Sequence, residues 1–361
     1  MKYEIAVTKT EQSTLSQVDF DNIPFGRVFS DHMFIVDYRD GEWVEPRIIP
    51  FSNLQMHPAS MVLHYGQAIF EGMKASKGVD GKPYLFRPEM HVERINASAE
   101  RMCMPAIPGE LFLNALHQLV ALDQAWIPPQ KGSALYIRPY MIATDEFIGV
   151  KPSERYSFII FTGPVGPYYP KPVSLLAEQQ YIRAAKGGVG FAKAAGNYAA
   201  SLLPAKLANQ KGYDQVLWLD AVENKYLQEV GTMNIFVVID GKVITPPTDD
   251  GTILKGITRA SIMQILRDKG YEVIERAITI DELVEAHRAG TLQEAFGSGT
   301  AAVIAHVSKI AYNDVVMELP PLEERKVGQT AKDEIDGLRA RTIEDTRGWV
   351  VPAEAVATVN A

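Results

Sequence analysis

Lys193 stands in the stretch Gly190-Phe191-Ala192-Lys193-Ala194-Ala195-Gly196-Asn197-Tyr198-Ala199-Ala200-Ser201, one amine among small, uncharged neighbours with no acid close in sequence. A lysine without a counter-ion in apolar surroundings gives up its proton more easily and becomes a nucleophile able to form Schiff bases. The aldehyde it meets belongs either to a substrate or to pyridoxal phosphate.

The second option makes a further demand: an acid that keeps the pyridine nitrogen protonated, so that the ring can draw electrons from a carbanion. Glu229 is the candidate, at the end of a strand immediately before a Gly231-Thr232 turn and the apolar run Met233-Asn234-Ile235-Phe236. The phosphate needs an anion cup. Gly256-Ile257-Thr258 opens a helix, whose first N–H groups and positive dipole end can point at an anion. Gly297-Ser298-Gly299-Thr300 offers a second turn with a hydroxyl and amides, and Arg94, on a helix face, offers a planar fork that matches phosphate. Taken singly, each of these reads as a turn, a cap or a surface charge.

The elements that must position these groups follow from length and patterning. A chain of 361 residues suggests two domains. With 47% apolar and 22% charged residues it has the balance of a globular protein, and its net charge of −8 gives no basic footprint for nucleic acid or an anionic membrane. A single cysteine, Cys103, excludes an internal disulfide, suits a reducing cytoplasm and is expected in the core. The N-terminal stretch lacks the apolar run of a signal peptide, and no segment approaches the ~18 apolar residues of a membrane span. Asp40-Gly41 and Asp80-Gly81 each predict a hairpin. Helices are predicted from Pro88, over 111–127, from about Gly196 with a kink at Pro204, over 258–269 and over 280–290. Strands are predicted at 134–142, 156–161, 173–177, 182–185, 215–220, 234–239, 242–244, 294–296 and 303–307. The proline-rich run from Gly163 to Pro172 reads as an interdomain linker. Hairpins mixed with helices in both halves point to α+β rather than to a doubly wound parallel sheet.

Rival chemistries fare less well. Gly297-Ser298-Gly299-Thr300-Ala301-Ala302 satisfies a dinucleotide-binding fingerprint, but Val303-Ile304-Ala305-His306-Val307 after it is strand-like where a helix is required. The seven histidines fall at no paired-ligand spacing, so no metal is expected.

Gly187 to Tyr198, followed by Glu229-Val230-Gly231-Thr232-Met233-Asn234-Ile235-Phe236, resembles the branched-chain aminotransferases, members of the class IV (fold type IV) pyridoxal-phosphate enzymes. The likeness continues through Phe25-Gly26, Ser30-Asp31-His32-Met33, His57-Pro58-Ala59-Ser60, His64-Tyr65, Phe70-Glu71-Gly72-Met73-Lys74, Leu135-Tyr136-Ile137-Arg138-Pro139 and Phe296-Gly297-Ser298-Gly299-Thr300-Ala301. The resemblance implies a small α/β domain over 1–165, a linker over 166–177, and a larger domain with a barrel-like β core over 178–361, with pyridoxal 5′-phosphate at the domain interface. It makes Lys193 the Schiff-base lysine and acid/base, and Glu229 the partner of the pyridine nitrogen. Tyr198 would bind the phenolic oxygen, and Arg94, the amides of Ile257 and Thr258, and Thr300 would hold the phosphate. Phe25, Tyr65, Tyr136, Tyr168 and Thr232 would line the substrate pocket, with Arg138 near a glutamate side-chain carboxylate and Ala301 and the Thr232 turn at the α-carboxylate. It further implies transamination between leucine, isoleucine or valine and 2-oxoglutarate, and a cytoplasmic homodimer. D-Amino-acid aminotransferases and aminodeoxychorismate lyases, of the same fold type, are the related alternatives. Where mammalian members carry a redox C-x-x-C, this chain has Ala302 and Ala305, so thiol regulation of that kind is not expected.

Overall fold

The structure, a computed structural model, describes residues 3–166 and 171–354. Contacts divide these into two units, one of residues 3–166 and 336–354 and the other of 171–335.

The first unit is built on a nine-stranded sheet of β1 (Ala6–Val7), β2 (His32–Arg39), β3 (Glu42–Pro50), β4 (Ala68–Phe70), β5 (Met73–Lys77), β6 (Pro83–Phe86), β7 (Ala134–Ala143), β8 (Tyr156–Val165) and a terminal strand, Val350–Pro352. The order runs β1-β3-β2-β8-β7-β5-β6 and then the terminal strand, with β4 beside β7. Asp40 and Gly41, at φ 53° and 85°, turn β2 into β3 as the Asp-Gly signal predicts. Helices α1 (Met61–Tyr65), α2 (Pro88–Arg101, with Pro88 in its first turn) and α3 (Gly109–Leu122) belong to this unit. Leu111, Phe112, Leu116 and Leu119 of α3 join Phe34, Ile137 and Phe158 of the sheet in one buried core. Strand periodicity of two then decides what the other face shows. Leu135, Ile137 and Met141 of β7 enter the core, which turns Tyr136, Arg138 and Tyr140 to the opposite face.

The second unit holds β9 (Val173–Ala177), β10 (Gln215–Leu219), β11 (Leu227–Val230), β12 (Met233–Ile239), β13 (Lys242–Thr245), β14 (Val273–Glu275), β15 (Leu292–Gly299), β16 (Val303–Tyr312) and β17 (Val315–Glu318). Its helices are α4 (Ala195–Ala200), α5 (Leu202–Gln210), α6 (Ile257–Asp268), α7 (Ile280–Arg288) and α8 (Val327–Ala340), the last carrying the chain back into the first unit. Pairing runs β11-β10-β9-β16-β15-β12 and returns from β12 to β11, closing a six-stranded barrel with no free edge along that ring. Leu175, Leu217, Val230, Ile235, Ala295 and Val307 fill its core together with Ile280 and Leu283 of α7. This is the α+β, barrel-bearing architecture that the family likeness implies.

Several local expectations are corrected. Gly163-Pro164-Val165 is not linker but the end of β8, paired with β7, and Val173–Ala177 belongs to the barrel. Residues 182–185 form no strand; Arg183 there makes side-chain bonds instead. The helix expected from Gly196 is two helices, broken at Ser201, with Pro204 in the first turn of α5, where a missing N–H costs nothing. The second domain does not run to the C-terminus: residues 336–354 pack with the first unit, because Val350–Pro352 pairs with β6. Cys103 is exposed, at φ 53° just beyond α2, rather than in the core. The fingerprint at 297–302 is a strand-turn-strand, β15 to β16, without the helix a dinucleotide site needs.

Candidate active site

Lys193 lies in the loop immediately before α4, flanked by buried Ala192 and Ala194. Its Nζ donates to Tyr198 Oη at 2.6 Å and sits 5.2 Å from the centre of that ring. Tyr198 lies in α4 and Lys193 in the loop before it, so the contact depends on how that loop leads into the helix. The Asn197 amide donates to the carbonyls of Val189 and Ala192, both at 2.9 Å, and so fixes the loop that carries the lysine.

Glu229 is placed by the β11–β12 hairpin, in register with Asn234. Gly231 in the turn takes φ 55°, a left-handed conformation that favours glycine, and Thr232 occupies the exposed tip. Glu229 is 4% exposed. Its Oε1 accepts the Leu254 N–H at 2.8 Å and lies 3.4 Å from Arg183 Nη2, so this buried acid is both hydrogen-bonded and paired. Arg183, Ala192, Tyr198, Glu229, Thr232 and Leu254 line one cleft of the second unit.

The helix expected to receive an anion is α6. Ala260 N–H makes its first bond, to the Gly256 carbonyl at 2.9 Å, which leaves the N–H groups of Ile257 and Thr258 ahead of the helical ladder. Asn234 donates to the Leu254 carbonyl at 2.9 Å, and a Cβ at Gly256 would run into the Asn234 amide, so a glycine is required there. Thr300 and Ala301 form the half-buried turn between β15 and β16. On the neighbouring strand residue the Ser298 hydroxyl is buried without a protein partner. An acid held in a buried niche, a primary amine on a tyrosine hydroxyl, helix-end amides and orphaned donors at Ser298 and at Arg183 Nε make a donor set that fits pyridoxal phosphate.

In the first unit, Arg138 Nη2 donates to Tyr136 Oη at 2.9 Å, and the guanidinium lies 4.7 Å above the Phe70 ring. Phe25 meets Tyr136 edge-on at 5.6 Å. The Arg138 Nε is buried without a partner. Tyr65, the last residue of α1, is exposed. Arg94, on α2, gives Nε and Nη2 to the fully buried Glu71 carboxylate, each at 2.7 Å, and His91 Nδ1 reaches the same carboxylate at 2.7 Å. Burial raises the Glu71 carboxyl, but Arg94 and then His91 outweigh it and hold that carboxyl well below the usual range. Tyr168 lies outside the described residues.

Sequence reasoning misses Arg183, Asn197, Asn234 and Glu71 as functional or supporting groups. Gly196-Asn197-Tyr198 is a signal for the second, whereas nothing local marks Arg183 as the partner of an acid 46 positions on.

The model of the amino-transferase class IV family matches residues 68–310, and the chain belongs to that family. Within it the chain belongs with the branched-chain enzymes. It is 47% identical to branched-chain-amino-acid aminotransferase 2 of Bacillus subtilis (strain 168) over 342 residues, 94% of each chain. The Escherichia coli branched-chain amino acid aminotransferase superposes with a TM-score of 0.72 at 27% identity, covering 90% of this chain and 99% of that one. The T.th. branched-chain amino acid aminotransferase, solved in complex with N-(5′-phosphopyridoxyl)-L-glutamate, does so with a TM-score of 0.72 at 26% identity, covering 88% and 98%. Among the described residues no group of side chains could hold a metal ion, and no helix is long and apolar enough to cross a membrane.

Proposed function

We propose that this chain is a branched-chain-amino-acid aminotransferase, exchanging the amino group between leucine, isoleucine or valine and 2-oxoglutarate with pyridoxal phosphate as cofactor. The observation that carries the reading is the Lys193 amine on Tyr198, beside a cleft whose wall includes the buried Glu229. Bound pyridoxal phosphate supplies an electron sink that makes the Cα–H bond of an amino acid acidic.

The chain's own residues do the rest. Lys193 Nζ takes the Cα proton as general base and returns a proton as general acid, and Tyr198 Oη fixes the direction in which the amine points. Glu229 offers the pyridine nitrogen a carboxylate. Ile257, Thr258, Thr300 and Arg94 bind the phosphate, Thr232 and Ala301 bind the substrate α-carboxylate, and Tyr198 binds the phenolic oxygen. Phe25, Tyr65, Tyr136 and Tyr168 give leucine-like side chains an aromatic wall, and Arg138 receives the side-chain carboxylate of glutamate. One methylene in such a wall is worth ~1–3 kcal/mol, so discrimination among leucine, isoleucine and valine is small. The kinetics are ping-pong, and the protein works as a homodimer in the cytoplasm, a setting that its lone cysteine and acidic charge suit.

The test begins with colour. Purified protein is expected to be yellow, to change its spectrum on addition of L-leucine, and to carry the pyridoxyl group on Lys193 after borohydride reduction and peptide mapping. A mark on another side chain, or none, refutes the assignment. Activity with D-alanine but not L-leucine, using 2-oxoglutarate as acceptor, would move the chain to the D-amino-acid enzymes.

A further inference from the structure

We propose that Arg183 is a positioning residue for this reaction: its guanidinium holds the Glu229 carboxylate in place and biases the proton shared with the pyridine nitrogen toward the nitrogen. The inference rests on the reading that Glu229 is that nitrogen's partner.

Arg183 belongs to a segment without regular structure, so its place is fixed by its own bonds rather than by a helix or strand. Nη2 donates to the carbonyls of Thr252 and of Gly190, the latter at 3.3 Å, and stands 3.4 Å from Glu229 Oε1. The two side chains are 9% and 5% exposed. Carbonyl oxygens orient a guanidinium but do not neutralise it. Burial of this cation is therefore compensated by Glu229, and burial of Glu229 by Arg183 and the Leu254 N–H.

The consequence for a ring nitrogen follows from distance. Two arrangements compete: the proton on nitrogen with Glu229 as carboxylate, or the proton on Glu229 with neutral nitrogen. Arg183 attracts the carboxylate directly. A cation that reaches the site through that carboxylate is further from Arg183 than the carboxylate is. Coulomb energy falls with separation, so the attraction exceeds the repulsion and Arg183 favours the first arrangement. Removing the guanidinium moves the proton from nitrogen to Glu229 and weakens the electron sink.

The test uses holoenzyme loaded with pyridoxal phosphate labelled with 15N in the ring, comparing wild type, Arg183→Gln, Arg183→Lys and Glu229→Gln. Wild type is expected to show a protonated ring nitrogen, and Arg183→Gln a signal displaced toward neutral pyridine. A fall in kcat of roughly 10- to 100-fold is expected beside it, with KM changed little, as for loss of a charged hydrogen-bond partner. Arg183→Lys keeps the charge without the fork and is expected to keep the nitrogen protonated at a rate nearer wild type. A protonated ring in Arg183→Gln, whatever its rate, overturns the proposal and leaves Arg183 as a loop tie alone. An unprotonated ring in Arg183→Lys overturns it too, and decides the matter should Arg183→Gln fail to fold. A protonated ring in Glu229→Gln refutes instead the assignment of Glu229 on which the inference rests.

Discussion

Tyr198 holds the Lys193 amine through one short hydrogen bond, so deleting one oxygen tests how much aiming that bond supplies. A hydrogen bond to a charged group contributes about 1.5–3 kcal/mol. Tyr198→Phe is therefore expected to lower kcat roughly 10- to 100-fold while leaving the pyridoxyl group on Lys193 after reduction. A rate within twofold of wild type would show that the amine is aimed by its loop alone. Arg138 carries a prediction about selectivity. Its guanidinium rests on Phe70 and Tyr136 with Nε unpartnered, a position poised for an anion. Arg138→Ala is expected to raise KM for glutamate or 2-oxoglutarate roughly 10- to 100-fold and that for leucine far less. Equal losses for both remove Arg138 from this role. At this scale Lys193 and Glu229 stand out as candidates by their neighbours, small residues around an amine and an acid before a Gly-Thr turn, whereas Tyr198 enters only through the family resemblance. Arg183 and Glu71 do not stand out, because a buried ion pair is defined by its partner, and neither residue stands near its partner in sequence.

Among the elements, the hairpins and longer helices are the most legible parts. Asp-Gly turns and a Pro-led helix fix backbone angles locally, whereas α8 and the terminal strand depend on distant contacts for their place. The start of α8 shows such dependence. The buried Glu294 carboxylate, on β15, accepts the N–H groups of Val327 at 2.7 Å and Gly328 at 2.9 Å, capping the helix electrostatically. His306 of β16 lies against the same turn, where a Cβ at Gly328 would come within 2.9 Å of its Cε1. Burial, then Arg325 and Lys332, push the imidazole down to about 4. The sign follows from linkage. Below the ordinary histidine value of about 6.5 the unfolded chain binds a proton that the folded ring refuses, so stability present above that value is lost as pH falls toward 4. The loss is expected to be about 1–2 kcal/mol, less than the shift alone implies because the ring is only partly buried. Urea unfolding of wild type and His306→Gln at several pH values checks this. The His306→Gln curve should be flatter between these limits, and an unchanged slope would clear His306 of the effect.

At the scale of the molecule the chain leaves its first unit, builds a closed barrel, and comes back. No local pattern announces this return: period and turn chemistry identify a strand, but not a partner more than 250 residues away. The pairing is nonetheless extensive. Val350, Val351 and Pro352 face Phe86, Leu85 and Tyr84 of β6, and Ala353 N–H donates to the Pro83 carbonyl at 2.9 Å. Arg87 N–H donates to the Trp349 carbonyl at 2.7 Å, and the buried Arg339 sets its guanidinium 4.9 Å from the Phe86 ring. Ala353 itself belongs to the first unit's core. Ending the chain after Ile335 would strip these partners from β6 and leave it an unpaired edge beside an opened core. Stability is not uniform across a structure, and amide hydrogen exchange reads it segment by segment. The truncated protein is expected to lose protection over 83–86 and in the neighbouring β5, while β10, β11 and β12, whose partners lie within the barrel, keep theirs. Undiminished protection over 83–86 would show that the returning segment is dispensable to the first unit. An equal loss in the barrel would show that the two units unfold as one.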